Sequence, residues 1–314
     1  MSAAKAKLVI GSRGSELALW QSKEVARKLG VPTEIKIIKT EGDRFPDAPL
    51  QGRMEKGFFT KEIEQYLLNR EIDLAVHSLK DLPTEIDPRL TIAAHLPRGP
   101  VSDLLLVRPD CCDRGLKLPV KPGCVVGATS LRRQAMLKVY APQAKAAALR
   151  GNVPTRVKKC KEGLFGAIIL ARAGAERLKL DLKPLLVYEL NPEIWLPAPG
   201  QGVIAVEARA DDRETLNLLA ALDDKAARDA AYLERKLLAN FEGGCHAAFA
   251  ALAKPDNSEW KVTVGLEHKD WVWAELSLKG EYKMLTGYGP ETLKGFKPRP
   301  VRTQEELCRP LRWW

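Results

Sequence analysis

Cys245 follows two glycines in Glu242-Gly243-Gly244-Cys245-His246. Paired glycines let a backbone turn sharply or admit a close neighbour, and an adjacent imidazole in a basic chain favours the thiolate, the form that does covalent chemistry. No cysteine-protease motif surrounds it, so these residues leave two readings open, a covalent attachment point and an ordinary loop cysteine. Asp81 is the second candidate. It ends the run Ala75-Val76-His77-Ser78-Leu79-Lys80-Asp81, and an acid among cations is held in its charged form. It can then stabilise a developing cation or relay a proton; simple neutralisation of Lys80 is the alternative. The third candidate is Val125 to Gln134, read as the end of a strand, a glycine turn and a helix start with Thr129 or Ser130 as N-cap. Arg132 and Arg133 in that first turn oppose the helix dipole. With free N–H groups and a hydroxyl they form a place that gains when an anion fills it, although two such arginines alone would also pass as solvated surface residues.

These residues need elements to hold them, and the pattern supplies strands alternating with helices. Strands are expected at Lys7–Ile10, Glu34–Lys39, Asp73–His77, Leu90–Ala94, Asp103–Val107, Lys145–Leu149, Gly166–Leu170 and Val203–Ala208. Helices are expected from Ser15 to about Leu29, Phe59 to Asn69, Leu131 to Tyr140, after the N-cap Asn152, and over Ala171–Leu178. Alternation of this kind points to parallel α/β sheets. The cation-bearing junction also recurs. Arg13 and Ser15 follow the first strand, Lys80 and Asp81 the third, Arg132 and Arg133 a later one, and Arg150 and Arg156 the next, with Arg177 on a short helix beyond. Ligands of open α/β sheets bind past the carboxyl ends of the strands, so the repetition favours a ligand with several carboxylates. Thr40 to Gly57 is long and polar, contains Asp43 and Lys56, and reads as a lid.

Pro97–Pro100 and Leu196–Gly202 look like hinges. They suggest a first domain of residues 1–98 and 201–221 and a second of 99–200. A helix from Glu214 to Asn240, broken near Asp223-Asp224, leads to a smaller α+β third domain over 222–314, with strands at Trp260–Leu266 and Val272–Leu278. The tail from Lys294 to Trp314 has no strong period and takes no assignment.

The chain has 314 residues and a formal net charge of +10, which implies anionic partners. The basic residues are not in runs and carry no helix-turn-helix or RNA-binding signature, so a small polyanion is expected rather than nucleic acid. No apolar run approaches a membrane span. A strand begins almost at the N-terminus, leaving no room for a leader, so a cytoplasmic location is expected. Six cysteines without C-x-x-C pairs and only four histidines make a zinc cluster unexpected.

Taken together, Ser15-Glu16-Leu17-Ala18-Leu19-Trp20-Gln21, Lys61-Glu62-Ile63-Glu64, Ala75 to Pro83, Ser130-Leu131-Arg132-Arg133-Gln134, Leu149-Arg150-Gly151-Asn152-Val153, Pro199-Gly200-Gln201-Gly202 and Glu242-Gly243-Gly244-Cys245 closely resemble the porphobilinogen deaminase (hydroxymethylbilane synthase) family. The resemblance runs from about Val9 to Phe249. It implies two lobes of the type II periplasmic-binding-protein kind plus the third domain. It also implies a dipyrromethane cofactor joined to Cys245 by a thioether, on which porphobilinogen is polymerised head to tail with release of ammonia. By that resemblance Asp81 is catalytic. Lys80, Ser130, Arg132, Arg133 and Arg156 hold the cofactor, and Arg13, Ser15, Phe59, Arg150 and Arg177 the substrate, with Asp43 and Lys56 in or beside the lid. No metal is implied, and family precedent implies a monomer. Ala128 stands where the family commonly has a hydroxyl residue, and Ala247-Ala248 where a proline is common. The competing reading is a non-catalytic two-lobed binder of a small polyanion.

Overall fold

The computed structural model describes residues 7–44, 60–242, 248–257, 259–268, 270–278 and 301–313. Strand β1 (Leu8–Ser12) buries Leu8 and Ile10. Ser15 then caps helix α1 (Glu16–Leu29), its hydroxyl accepting from the Ala18 N–H at 3.3 Å. Gly30 ends that helix at φ 67°, a left-handed conformation glycine adopts without a Cβ penalty. Then come β2 (Thr33–Ile37), the short α2 (Glu41–Arg44), α3 (Lys61–Leu68) and β3 (Leu74–Ser78). A 3₁₀ turn over Leu79–Asp81 and β4 (Leu90–His95) end the first pass.

After the first hinge the chain forms β5 (Asp103–Val107), β6 (Val125–Gly127), α4 (Leu131–Tyr140), β7 (Lys145–Ala147), α5 (Val153–Lys161), β8 (Ala167–Ala171), α6 (Arg172–Arg177) and β9 (Leu186–Leu190). After the second come β10 (Ile204–Arg209), α7 (Arg213–Ala220), α8 (Lys225–Glu242), β11 (Phe249–Asp256), β12 (Glu259–His268), β13 (Asp270–Leu278), α9 (Gln304–Leu307) and β14 (Cys308–Pro310). By contacts the chain divides into two compact units, residues 1–99 with 202–229 and residues 100–201 with 230–314.

Both units are built to one plan. The first sheet has the order β2-β1-β3-β10-β4, with β1 parallel to β2 and β3, and β10 antiparallel to both its neighbours. The second has the order β14-β9-β5-β8-β6-β7, with β6 parallel to β7 and β8, and β5 antiparallel to β8 and β9. Read from β7, the second order repeats the first, and β14 is added at the far edge. The antiparallel strand is in each case the one that enters directly after a hinge. The two sheets are therefore mixed α/β lobes of the type II periplasmic-binding-protein kind. In the first, Leu74, Val76, Ile204, Val206 and Ala208 meet α1 and α7 on one face, while Ile63, Leu67 and Ala75 form a second core under α3. In the second unit the antiparallel sheet β11-β12-β13 packs its Phe249, Ala251, Val262 and Val264 on Leu233, Leu237 and Phe241 of α8.

Three strands were not expected from the sequence. Strand β11 is alanine-rich, and alanine is a poor strand signal away from its packing partners. Strands β9 and β14 pair antiparallel with each other, Cys308 opposite Leu190, so the tail acquires its strand from tertiary pairing. The predicted strand over Lys145–Leu149 stops at Ala147 because the Thr129 hydroxyl takes the Leu149 N–H at 3.0 Å and donates to the Leu149 carbonyl at 2.5 Å. Asn152 does cap α5, its Oδ1 accepting from the Thr155 N–H at 2.9 Å and from the Thr155 hydroxyl at 2.6 Å. Asn152→Ala is expected to cost about 1 kcal/mol, read as a lowered urea midpoint with an unchanged slope.

Candidate functional site

In the first unit the polar residues gather at the carboxyl ends of the parallel strands. Strand β1 hands over to Arg13 and Ser15, and β3 turns through Leu79–Asp81. Arg13, Ser15, Gln21, His77, Ser78 and Asp81 line a small cavity of about 70 Å³. Gln21 Nε2 donates to Ser78 Oγ at 2.8 Å, tying α1 to the end of β3. Asp81 is exposed and Lys80, beside it on the same turn, is half-buried. Arg13 donates from Nη2 to Asp43 Oδ1 at 2.5 Å. Burial works to raise the Asp43 carboxyl, but Arg13 and the Thr40 hydrogen bonds outweigh it and leave it below the ordinary carboxylate range. A ligand carboxylate must compete with Asp43 for Arg13. The Ser15 hydroxyl caps its helix, and its place in the cavity follows from that.

In the second unit β7, β6 and β8 are parallel neighbours, so the junctions that follow them leave the same edge of the sheet. They carry Arg150 and Arg156, then Ser130, Arg132 and Arg133, then Arg177. Arg156 donates from Nε to the Gly151 carbonyl at 2.7 Å. Arg177 is half-buried, and burial draws its guanidinium down to about 10, still charged at neutral pH. Ser130 occupies the N-cap of α4 without a side-chain capping bond, and the expectation that Thr129 might cap is replaced by its bonds to Leu149.

Arg132 and Arg133 depart from the open junction expected of them. Both are buried, at 4% and 6% exposure, and both hold Asp103 at the start of β5. Its carboxylate accepts from Arg132 Nη2 at 2.8 Å, from Arg133 Nη2 at 2.7 Å and Nε at 3.0 Å, from Trp195 Nε1 at 3.2 Å and from Gln201 Nε2 at 2.9 Å. Arg132 Nη1 also donates to the Leu196 carbonyl at 2.5 Å and Arg133 Nη1 to that of Ile169 at 3.1 Å. Burial would raise the Asp103 carboxyl, but the two guanidinium groups hold it far below the ordinary range. What remains is Arg132 Nε, a buried N–H with no acceptor.

Lys56, Phe59 and Cys245 lie outside the described residues. Of the other thiols, Cys124, Cys160 and Cys308 are buried and Cys111 and Cys112 half-buried; burial pushes the first three up to about 12, far from the reactive thiolate. Among the described residues no group of histidine, cysteine and acidic side chains is placed to hold a metal ion, and no helix is long and apolar enough to cross a membrane. Sequence reasoning missed Asp103 as the centre of a charged cluster, and missed the buried neighbours His77 and Glu207. The available signal was an acid or imidazole inside an otherwise apolar strand, Asp103-Leu104-Leu105-Leu106-Val107 and Ile204-Ala205-Val206-Glu207, because such a group needs a buried partner.

Residues 8–217 match the family described as "Porphobilinogen deaminase, dipyromethane cofactor binding domain". A porphobilinogen deaminase of Roseiflexus sp. (strain RS-1) is 44% identical over 261 residues, 81% of this chain and 84% of that protein. A probable porphobilinogen deaminase of Methanocaldococcus jannaschii is 44% identical over 250 residues, 79% of this chain and 82% of the other. One from Halalkalibacterium halodurans is 39% identical over 290 residues and spans 90% of this chain and 91% of its own. With the family match running from β1 into α7, and with relatives of that identity matched over most of their length, the chain belongs to the porphobilinogen deaminase family.

Proposed function

We propose that this chain is a transferase that joins porphobilinogen molecules head to tail on a covalently held dipyrromethane primer, releasing ammonia and yielding hydroxymethylbilane for tetrapyrrole and heme biosynthesis. The observation that carries the reading is the placement of cations at the carboxyl ends of the parallel strands of each lobe, joined by the carboxylate of Asp81 in a cavity of the first. Porphobilinogen bears acetate and propionate side chains, so every ring added brings carboxylates that need donors.

The residues present fit the primer. Arg132 keeps a buried N–H without an acceptor, Ser130 has a hydroxyl not used in capping, and Arg156 and Lys80 add charge at their junctions. These four, with Arg133 behind them on Asp103, would hold the primer carboxylates, and Cys245 would carry the thioether. When bound, the dipyrromethane supplies the pyrrole carbon to which the first incoming ring is joined. Arg13, Ser15, Phe59, Arg150 and Arg177 would bind substrate carboxylates, and Asp43 and Lys56 would belong to the lid. Asp81 would face the pyrrole N–H groups and stabilise the cation left when ammonia departs. We place the enzyme in the cytoplasm, as a monomer, with residues 222–314 as a third domain.

Intact mass of the denatured protein, beside that of Cys245→Ala, tests the reading. An excess of one dipyrrole unit in the parent, absent from the variant, is the expected result. A bare mass that persists after incubation with porphobilinogen would favour the non-catalytic polyanion binder instead.

A further inference from the structure

The second unit holds two thiols that the cation-bearing junctions do not use. Cys111 ends the 3₁₀ turn Pro109–Cys111, its N–H donating to the Arg108 carbonyl at 3.0 Å. Cys124 closes the turn Lys121-Pro122-Gly123-Cys124, its N–H donating to the Lys121 carbonyl at 3.1 Å. Proline at the second place and glycine at φ 75° at the third give that turn its type II form. Lys121 joins the two turns, because its own N–H donates to the Cys111 carbonyl at 2.9 Å. The segment between is anchored as well: Leu118 and Val120 are buried in the same core as Cys124. Both sulfurs are thus brought onto Gly166, the residue before β8. A Cβ placed on that glycine would stand 2.7 Å from Cys124 Sγ and 2.8 Å from Cys111 Sγ. Only glycine leaves that room, and the two sulfurs flank one point.

A disulfide forms only between close backbones whose side chains converge. Two turns tied through one peptide group, with sulfurs that meet over one glycine, are that arrangement. We infer that Cys111 and Cys124 are a redox pair, forming a reversible disulfide that staples residues 112–123 to the start of β6. Cys111 is half-buried and Cys124 buried, so an oxidant arriving from solvent meets Cys111 first. With a low-molecular-weight disulfide as oxidant, the Cys111 thiolate attacks one of its sulfurs, and the broken S–S bond releases one small thiolate. The Cys124 thiolate then attacks Cys111 Sγ and releases the second. Two electrons pass to the oxidant, and the protons of the two protein thiols end on the two small thiols. An excess of small thiol runs both exchanges backwards.

The neighbouring groups decide which sulfurs react. Burial, and then the Cys111 thiol beside it, pushes Cys124 up to about 12, with Asp110 adding to the effect and Arg108 opposing it. Cys124 is therefore the sulfur that resolves the mixed disulfide. Cys160 of α5 is near enough for both thiols to raise it, but it packs among Leu149, Val157 and Ile168 in a separate core. Cys112, next in the chain, is engaged elsewhere, its Sγ 3.4 Å from the Tyr188 hydroxyl. That makes Cys112 the natural control for Cys111.

The test uses the full chain as purified, treated with oxidised glutathione and read by intact mass and by peptide mapping without reductant. The expected result is a mass lower by two hydrogens and a peptide that links Cys111 to Cys124. The melting temperature of the second unit should rise by about 5 °C, the effect of closing a loop of this length. Dithiothreitol should reverse all three changes. Cys111→Ser should abolish the link and the rise, and Cys112→Ser should keep both. Should a Cys124→Ala variant fail to fold, the Cys111→Ser and Cys112→Ser comparisons decide it. A glutathione adduct that persists on Cys111, a link through any other cysteine, or a protein that keeps all its thiols would overturn the inference. No readout here needs turnover, so a chain without the dipyrrole mass counts against the proposed function alone.

Discussion

Asp103→Asn is expected to destabilise the second unit by about 3–5 kcal/mol, the cost of leaving buried charge unpaired. The parent cluster is closed: Asp103 has 0% side-chain exposure, Arg132 5% and Arg133 8%, and Trp195 and Gln201 complete the donors to the same carboxylate. The variant keeps both guanidinium groups and removes the anion they share, so neither can recover its hydration without opening the core. A fall in melting temperature of roughly 10 °C follows from that energy for a chain of this size. The sign of the pH dependence follows from the depressed Asp103 carboxyl. Its contribution is complete above the unfolded-state value of ~3.9 and is lost as pH falls below it. Acid unfolding of the parent should therefore carry this term and that of Asp103→Asn should not. A melting temperature within a degree or two of the parent would show that the three charges contribute nothing net.

Asp81→Asn is expected to keep the attached dipyrrole mass and lose turnover by about 100- to 1,000-fold, the usual effect of removing a preorganised charge from a developing ion. Asp81 is exposed on a 3₁₀ turn rather than buried in a strand, so the substitution leaves no core vacancy and its effect reads chemistry, not folding. The neighbouring cation Arg13 already has Asp43 as a partner, which leaves Asp81 available to a ligand cation. Single-turnover measurements with porphobilinogen separate the outcomes. Normal binding with a slow chemical step supports the role; near-normal turnover would assign Asp81 to neutralising Lys80 instead.

What the sequence determined by itself was local and periodic. Alternating apolar runs and caps such as Ser15, Gly30 and Asn152 act over a few residues, so most strands and helices of both lobes were legible with small errors at their ends, while β9 and β14 of the second sheet were missed. The recurring cation after each parallel strand was legible for the same reason, as was the ordered set of motifs that marks the family. The tertiary structure alone decided the rest. Strand β5 inserts beside β8 and brings Asp103 onto Arg132 and Arg133, 29 and 30 residues away in the chain. That pairing turns two arginines that read as an open anion site into a buried cluster with one N–H to spare. In the same way β10 lands beside β3 and sets Glu207 diagonal to His77. In each lobe a strand that enters from a hinge carries the deciding acid. Its partner is chosen by sheet order and register, which depend on the burial of whole faces rather than on any short stretch of residues.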